Sequence, residues 1–223
     1  MLSLVNSQTT LRPVIPAAYV LPPDLCYATP SCGPIVQHEL LKVVREEMPE
    51  AYKRAQQELG LNVARTQELI ERRVEIISSA KAIKLARLIA YEPNSRRVFG
   101  QTGQNLFGNL NRNFPGLVKT AVRSLPRSLR TRLALTLTRR VAYEFAGSLN
   151  RFAFRPIRGG VAVSICNGVF ADQLDTLGGA HAYYGNIIET MFQEFAHVDC
   201  EVSEVRAPRV YLNQCHYKIV WEA

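Results

Sequence analysis

Four histidines and five cysteines carry most of the chemistry open to this chain of 223 residues. Cys26, Cys32, Cys166, Cys200 and Cys215 form no CxxC pair and have no histidine at zinc-finger spacing. Structural zinc needs such ligands in sets of four, and a disulfide framework needs an even set, so reduced thiols and no structural metal are expected. Gly100, Gly103 and Gly108 match neither GxGxxG nor a P-loop, and no Gly-Lys-Ser/Thr follows, so no nucleotide is expected. No Rossmann pattern or iron–sulfur cysteine cluster supplies electrons, and no Ser/His/Asp or Cys/His spacing stands above chance. Binding is therefore expected over turnover. Among the histidines, His38 falls on a first helix and His197 ends a later one, where a cation suits the helix dipole. His216 alternates away from an apolar strand face, which reads as solvated or packed under a loop. His181 lies in a glycine-rich stretch just before an apolar helix, the best place of the four to meet a ligand.

Charge narrows the classes further. The chain holds 27 Lys+Arg against 19 Asp+Glu, a formal net charge of +8. Eleven of those basic residues fall between Arg112 and Arg158 with Glu144 as the sole acid, so that window is +10; the other 16 basic and 18 acidic residues leave −2. One arginine-rich segment on a near-neutral body can meet an anionic lipid surface, an acidic partner or an acidic small molecule. It reads equally as a solvated helix face. It lacks a nucleic-acid-binding motif and has little aromatic interleaving, so nucleic acid is not expected. At 47% hydrophobic and 21% charged, the composition is that of a globular chain. No apolar run reaches the roughly 18–20 residues of a membrane span, and the start lacks the order of a secretory signal, so a cytoplasmic location is expected.

These groups must be positioned by an α+β domain. Six of the twelve prolines fall within residues 1–34, which reads as an extended arm, leaving 35–223 as a single domain. Ile35 to Leu59 has helical spacing broken at Pro49. A longer helix capped near Asn62 or Thr66 runs to Ile89 and stops at Glu92-Pro93-Asn94. Arg96 to Gly116, rich in Gly and Asn, reads as a flexible connection with short helical pieces. Helices over Leu117–Leu125 and Leu129–Phe145 are divided at Pro126, the second with a stripe at Leu129, Leu133, Leu137, Val141 and Phe145. The period then changes to two. Phe152 and Phe154, then Val161, Val163 and Ile165, flank an Arg158-Gly159-Gly160 hairpin turn. Tyr184, Ile187, Ile188, Met191, Phe192 and Phe195 form a helical stripe, and strands around Cys200 and from Cys215 to Trp221 complete a four-stranded antiparallel sheet covered by helices.

The second half resembles the 4-vinyl reductase domain family, typified by the bacteriochlorophyll biosynthesis protein BchJ. The resemblance is carried by Val122-Arg-Ser-Leu-Pro-Arg-Ser-Leu129, by Tyr143-Glu-Phe-Ala-Gly-Ser148 leading into a strand, by Glu189 before Met191-Phe192, and by Glu204 to Cys215-His-Tyr-Lys-Ile219. Gly33-Pro34-Ile35 looks like the family's opening, and the best match spans 115–221. The resemblance implies a ligand-binding fold like that of vesicle-tethering (TRAPP) subunits, commonly dimeric. It also implies a tetrapyrrole ligand, chlorophyll or a magnesium-porphyrin precursor, with a role in pigment delivery or photosystem II assembly. The partners implied are assembly intermediates or chlorophyll-biosynthesis enzymes, with peripheral attachment to the thylakoid membrane. Many members carry cysteines before the last strand; here Val205-Arg-Ala-Pro-Arg-Val-Tyr211 leaves only Cys215.

For such a ligand the expected wall is Phe145, Phe152, Phe154, Tyr183, Tyr184, Ile187, Met191 and Phe192, with His181 as the axial candidate for the pigment's magnesium. Burying about 400 Å² of macrocycle at ~25 cal/mol/Å² gives roughly 10 kcal/mol before association costs, so an apolar wall could hold it without a histidine. An aromatic stripe at helical spacing is also what an ordinary core looks like. Two further readings remain: a dimeric protein–protein scaffold on the same fold, and a vinyl reductase of chlorophyll biosynthesis.

Overall fold

The computed structural model describes residues 33–60, 79–146, 151–166, 170, 179–205 and 214–221. The expected extended arm and the Asn62/Thr66 helix start lie outside them. α1 (Pro34–Glu47) begins with proline at its first position, where a missing N–H costs nothing. Met48, at φ −143° and ψ 62°, separates it from α2 (Pro49–Leu59), and Gly60 in the left-handed region (φ 61°) ends α2. α3 (Ser79–Ala90) follows, and its connection to the next helix holds Glu92-Pro93-Asn94.

α4 (Ser95–Asn113) is a continuous helix of 19 residues where a flexible connection is expected from sequence. The glycines responsible for that expectation serve packing instead. A Cβ on Gly100 would stand 2.6 Å from Asn186 Nδ2, and one on Gly103 would run into the Tyr183 carbonyl oxygen. Absent side chains let α4 lie directly on α7 (Gly179–Thr190), which continues as a π-helical turn over Met191–Phe195.

α5 (Gly116–Ser124) and α6 (Arg127–Ala146) are divided at Pro126 as expected. The buried stripe of α6 differs from the leucine series. Thr131, Ala134, Leu135, Thr138 and Val141 are buried, while Leu129 is exposed. The threonines enter the core because their hydroxyls donate to the carbonyls of Arg127 (2.9 Å) and Ala134 (2.8 Å), which removes the penalty of burying them. The side chain of Phe145 lies outside the described residues.

Four strands, β1 (Arg151–Ile157), β2 (Gly160–Cys166), β3 (Glu201–Glu204) and β4 (Gln214–Val220), form one antiparallel sheet ordered β1-β2-β4-β3. Gly159, at φ 68°, turns the expected hairpin so that Ile157 pairs with Gly160. Pairing of Phe154 with Val163, Val163 with Tyr217, and Glu204 with Tyr217 sets these side chains on one face, the face on which α7 lies. Aromatic rings fill the interior: Phe99–Phe170, Phe170–Tyr183 and Tyr183–Tyr184 have centroids 4.8–4.9 Å apart. Phe192 stacks on Trp221 at 6.0 Å.

Two expectations about reactive side chains change here. Cys166 is disulfide-bonded, so the cysteines are not all reduced; Cys200 and Cys215 remain thiols. Counting cysteines cannot show which are neighbours in space. His216 is fully buried and bonded to the Ser164 hydroxyl at 2.9 Å, rather than solvated. The strand face opposite α7 is therefore buried at this point.

Candidate functional site

Pro93 and Asn94 lead into α4, whose first two turns carry Arg96, Arg97, Gly100 and Gln101. Helical periodicity on α7 puts His181, Gly185 and Glu189 on one side, opposite that part of α4. With Val202 and Glu204 of β3 and Tyr217 of β4, these residues line a cleft of about 560 Å³. That is within the usual range for a small-molecule site. Gly100 and Gly185 let the walls of the cleft approach each other: a Cβ on Gly100 would meet Asn186, and one on Gly185 would stand 3.5 Å from the Tyr217 ring.

Its wall is a charged network. His181 Nε2 is 3.6 Å from Glu204 Oε1, and Arg96 Nη2 is 4.0 Å from Glu204 Oε2. Arg97 pairs with Glu47 at the end of α1, at 3.0 Å. The Tyr217 hydroxyl donates to the His181 carbonyl at 3.0 Å, tying the first turn of α7 to the sheet. Complete burial holds the Tyr217 phenol well above its ordinary pKa, so it stays a donor. The His181 and Tyr217 rings lie 5.9 Å apart. Glu204 thus lies between the His181 imidazole and the Arg96 guanidinium at the cleft wall, and Arg97 joins the same wall while paired with Glu47.

The other histidines are placed differently. His197 takes a left-handed conformation (φ 50°) and accepts from Arg123 Nε at 2.7 Å. Burial first, then the charges of Arg123 and Arg130, lower its pKa. The cation at this helix end is Arg130, which donates to the carbonyls of Ala196 (3.1 Å) and His197 (2.7 Å). His197 is thus held neutral, against the expectation of a cationic histidine. His216 is also neutral: burial, with a smaller contribution from the His181 charge, lowers its pKa to about 4. Among the described residues no group of three or more His, Cys, Asp or Glu could hold a metal ion.

Of the expected wall, Tyr183, Tyr184, Ile187, Met191, Phe192 and Phe152 are buried in the core and do not line this cleft. Phe154 is exposed and lines a second, apolar groove with Trp221. Among the described side chains of the expected site, only His181 lines the 560 Å³ cleft. Sequence reading missed Arg96, Arg97, Glu204 and Tyr217. Glu204 and Tyr217 are opposite each other in the strand register, a pairing that becomes visible only once β3 and β4 are aligned.

No protein-family model matches the chain, and no curated protein matches it. Solved structures do. The chain is similar to the Fe(II) unliganded H-NOX protein from K. algicida (12% identity, TM-score 0.50) and to a point mutant of that protein (12% identity, TM-score 0.53). It is also similar to a point mutant of the T. Tengcongensis H-NOX (11% identity, TM-score 0.50). Each comparison covers 86% of this chain and 97% of the other. These neighbours overturn the 4-vinyl reductase resemblance, whose short sequence matches no family model supports. At such identities a likeness speaks for architecture alone: the chain has the fold of the H-NOX proteins.

Proposed function

We propose that this chain is a ligand-binding module that takes a tetrapyrrole, heme foremost, in the cleft beside His181, and acts by binding rather than by turnover. One observation carries the reading: the His181 imidazole, with Glu204 beside it, lines a ligand-sized cleft on an H-NOX fold. Heme distortion has been probed in the H-NOX family, and the K. algicida protein was solved as Fe(II) unliganded; both facts belong to those proteins. The roles for chlorophyll, its precursors and photosystem II rested on the overturned resemblance and lose their support with it.

The residues present fit such a group. The volume suits a macrocycle edge, His181 would be the nitrogen donor once its ring turns from Glu204 toward the cleft, and Arg96 and Arg97 match propionate carboxylates. A bound metal tetrapyrrole supplies a coordination position for a small ligand and an absorption band that reports on it. Glu204, 3.6 Å from Nε2, holds the ring at the cleft wall. The Tyr217 hydroxyl fixes the backbone that carries His181. Arg97 is shared with Glu47, so a carboxylate ligand would compete with α1 for it.

Titrating the purified chain with heme, magnesium protoporphyrin and chlorophyllide tests the proposal. Heme is expected to bind with a micromolar or tighter Kd and a shifted Soret band. No spectral change across the panel would contradict it. A second reading, a protein–protein scaffold, is favoured by the solid interior built on Phe99, Phe170, Tyr183 and Tyr184. It predicts a stable dimer by light scattering and no pigment binding.

A further inference from the structure

Only Val122 is buried on α5. Leu117 is 85% exposed, and Val118, Leu125 and Leu129 are exposed beside it. Leu117 and Ala121 lie one turn apart with Val118 beside them, an outward apolar strip on the helix, and exposed Leu125 follows at its end. One exposed leucine would be ordinary; a run of apolar side chains on a single short helix and the joint after it is not.

The surrounding charge has one sign. From Arg112 to Arg132 the chain carries Arg112, Lys119, Arg123, Arg127, Arg130 and Arg132 and no acid. Arg123 and Arg130 are engaged with His197 and Ala196. Arg127 and Arg132 also border a separate apolar groove of about 430 Å³, lined by Leu135, Phe154, Val161 and Trp221. Basic groups thus flank apolar surface on both sides of the α5–α6 joint. No helix among the described residues is long and apolar enough to cross a membrane.

We propose that α5 and the first turns of α6 form a docking surface for an anionic lipid bilayer. Leu117, Val118, Leu125 and Leu129 enter the acyl boundary, while Lys119, Arg127 and Arg132 meet the headgroups. Charge complementarity selects an anionic partner, and the apolar face selects lipid among anionic partners. A nucleic acid would satisfy the arginines but leave the leucines wet. Side chains projecting from a convex helix suit a fluid interior better than the rigid pocket of a folded protein.

Co-sedimentation of the full chain with phosphatidylglycerol–phosphatidylcholine vesicles, against pure phosphatidylcholine, tests this. Binding is expected only to the anionic vesicles, and to fall steeply with added salt. Arg127→Gln with Arg132→Gln is expected to weaken it by about 25-fold, at roughly fivefold per basic residue. Leu117→Ser with Leu125→Ser is expected to weaken it on the order of tenfold or more. All four side chains lie outside the buried core, so circular dichroism and Tm should match the wild type for both variants. Absence of binding to anionic vesicles would overturn the proposal. So would unchanged binding by the double-serine variant, which would reassign the surface to polyanions in general.

Discussion

Gly103→Ala is expected to destabilise the protein by about 2 kcal/mol, although alanine is the better helix former by nearly 1 kcal/mol. The added methyl would meet the Tyr183 carbonyl oxygen, and Ile187 Cγ1 would stand 3.1 Å away. A side-chain end could rotate aside; a backbone oxygen moves only if α7 moves. Overpacking typically costs about 1–3 kcal/mol, and an unyielding obstacle puts this site at the upper end. Gly108, on the same helix, has open space around it: a Cβ there would have nothing within 4 Å. Gly108→Ala is therefore expected to stabilise by roughly 0.5–1 kcal/mol. Urea denaturation of the pair should show midpoints moving in opposite directions. A Gly103→Ala midpoint at or above wild type would mean that α4 and α7 do not approach as described.

Acidification from pH 6.5 to 4 is expected to remove about 3 kcal/mol of stability through His216 alone. Burial of the imidazole, then the charge of His181, lowers its pKa from 6.5 to about 4 in the folded chain. Between those values the unfolded chain binds a proton that the folded chain does not, so stability falls as pH falls. Below about pH 4 both states are protonated and this contribution levels off. The Ser164 hydroxyl can serve the neutral ring in either tautomer, since it both donates and accepts. The measurement is the His216 ring resonance followed by NMR, with unfolding free energy recorded in parallel. A midpoint near 6.5 would mean that the ring is hydrated.

Where the sequence was legible, the reason was a repeating physical requirement. Pro49 and Pro126 mark helix breaks because proline lacks an N–H. Alternation in Phe152–Phe154 and Val161–Ile165 marks the hairpin because strand side chains alternate. α4 was hidden because glycine signals a loop when read locally but permits close helix contact when a partner is present. The buried face of α6 was hidden because Thr131 and Thr138 count as polar until their hydroxyls find the preceding carbonyls. His181 could be singled out from its place before an apolar helix. Its neighbour Glu204 could not, because that contact depends on strand register and on how α7 crosses the sheet. The aromatic stripe of α7 was visible, yet a stripe looks the same whether it lines a slot or fills a core.

If the cleft beside His181 holds the ligand, a heme titration across three proteins shows it most directly. Wild type, His181→Ala and Arg96→Gln are each followed by the Soret band. His181→Ala is expected to change the band position and weaken binding by about 10–100-fold. Arg96→Gln should weaken it by about tenfold with the band unmoved, because a carboxylate contact is lost but the axial donor remains. Wild-type affinity and an unmoved band in His181→Ala would contradict this assignment and put any ligand elsewhere in the fold.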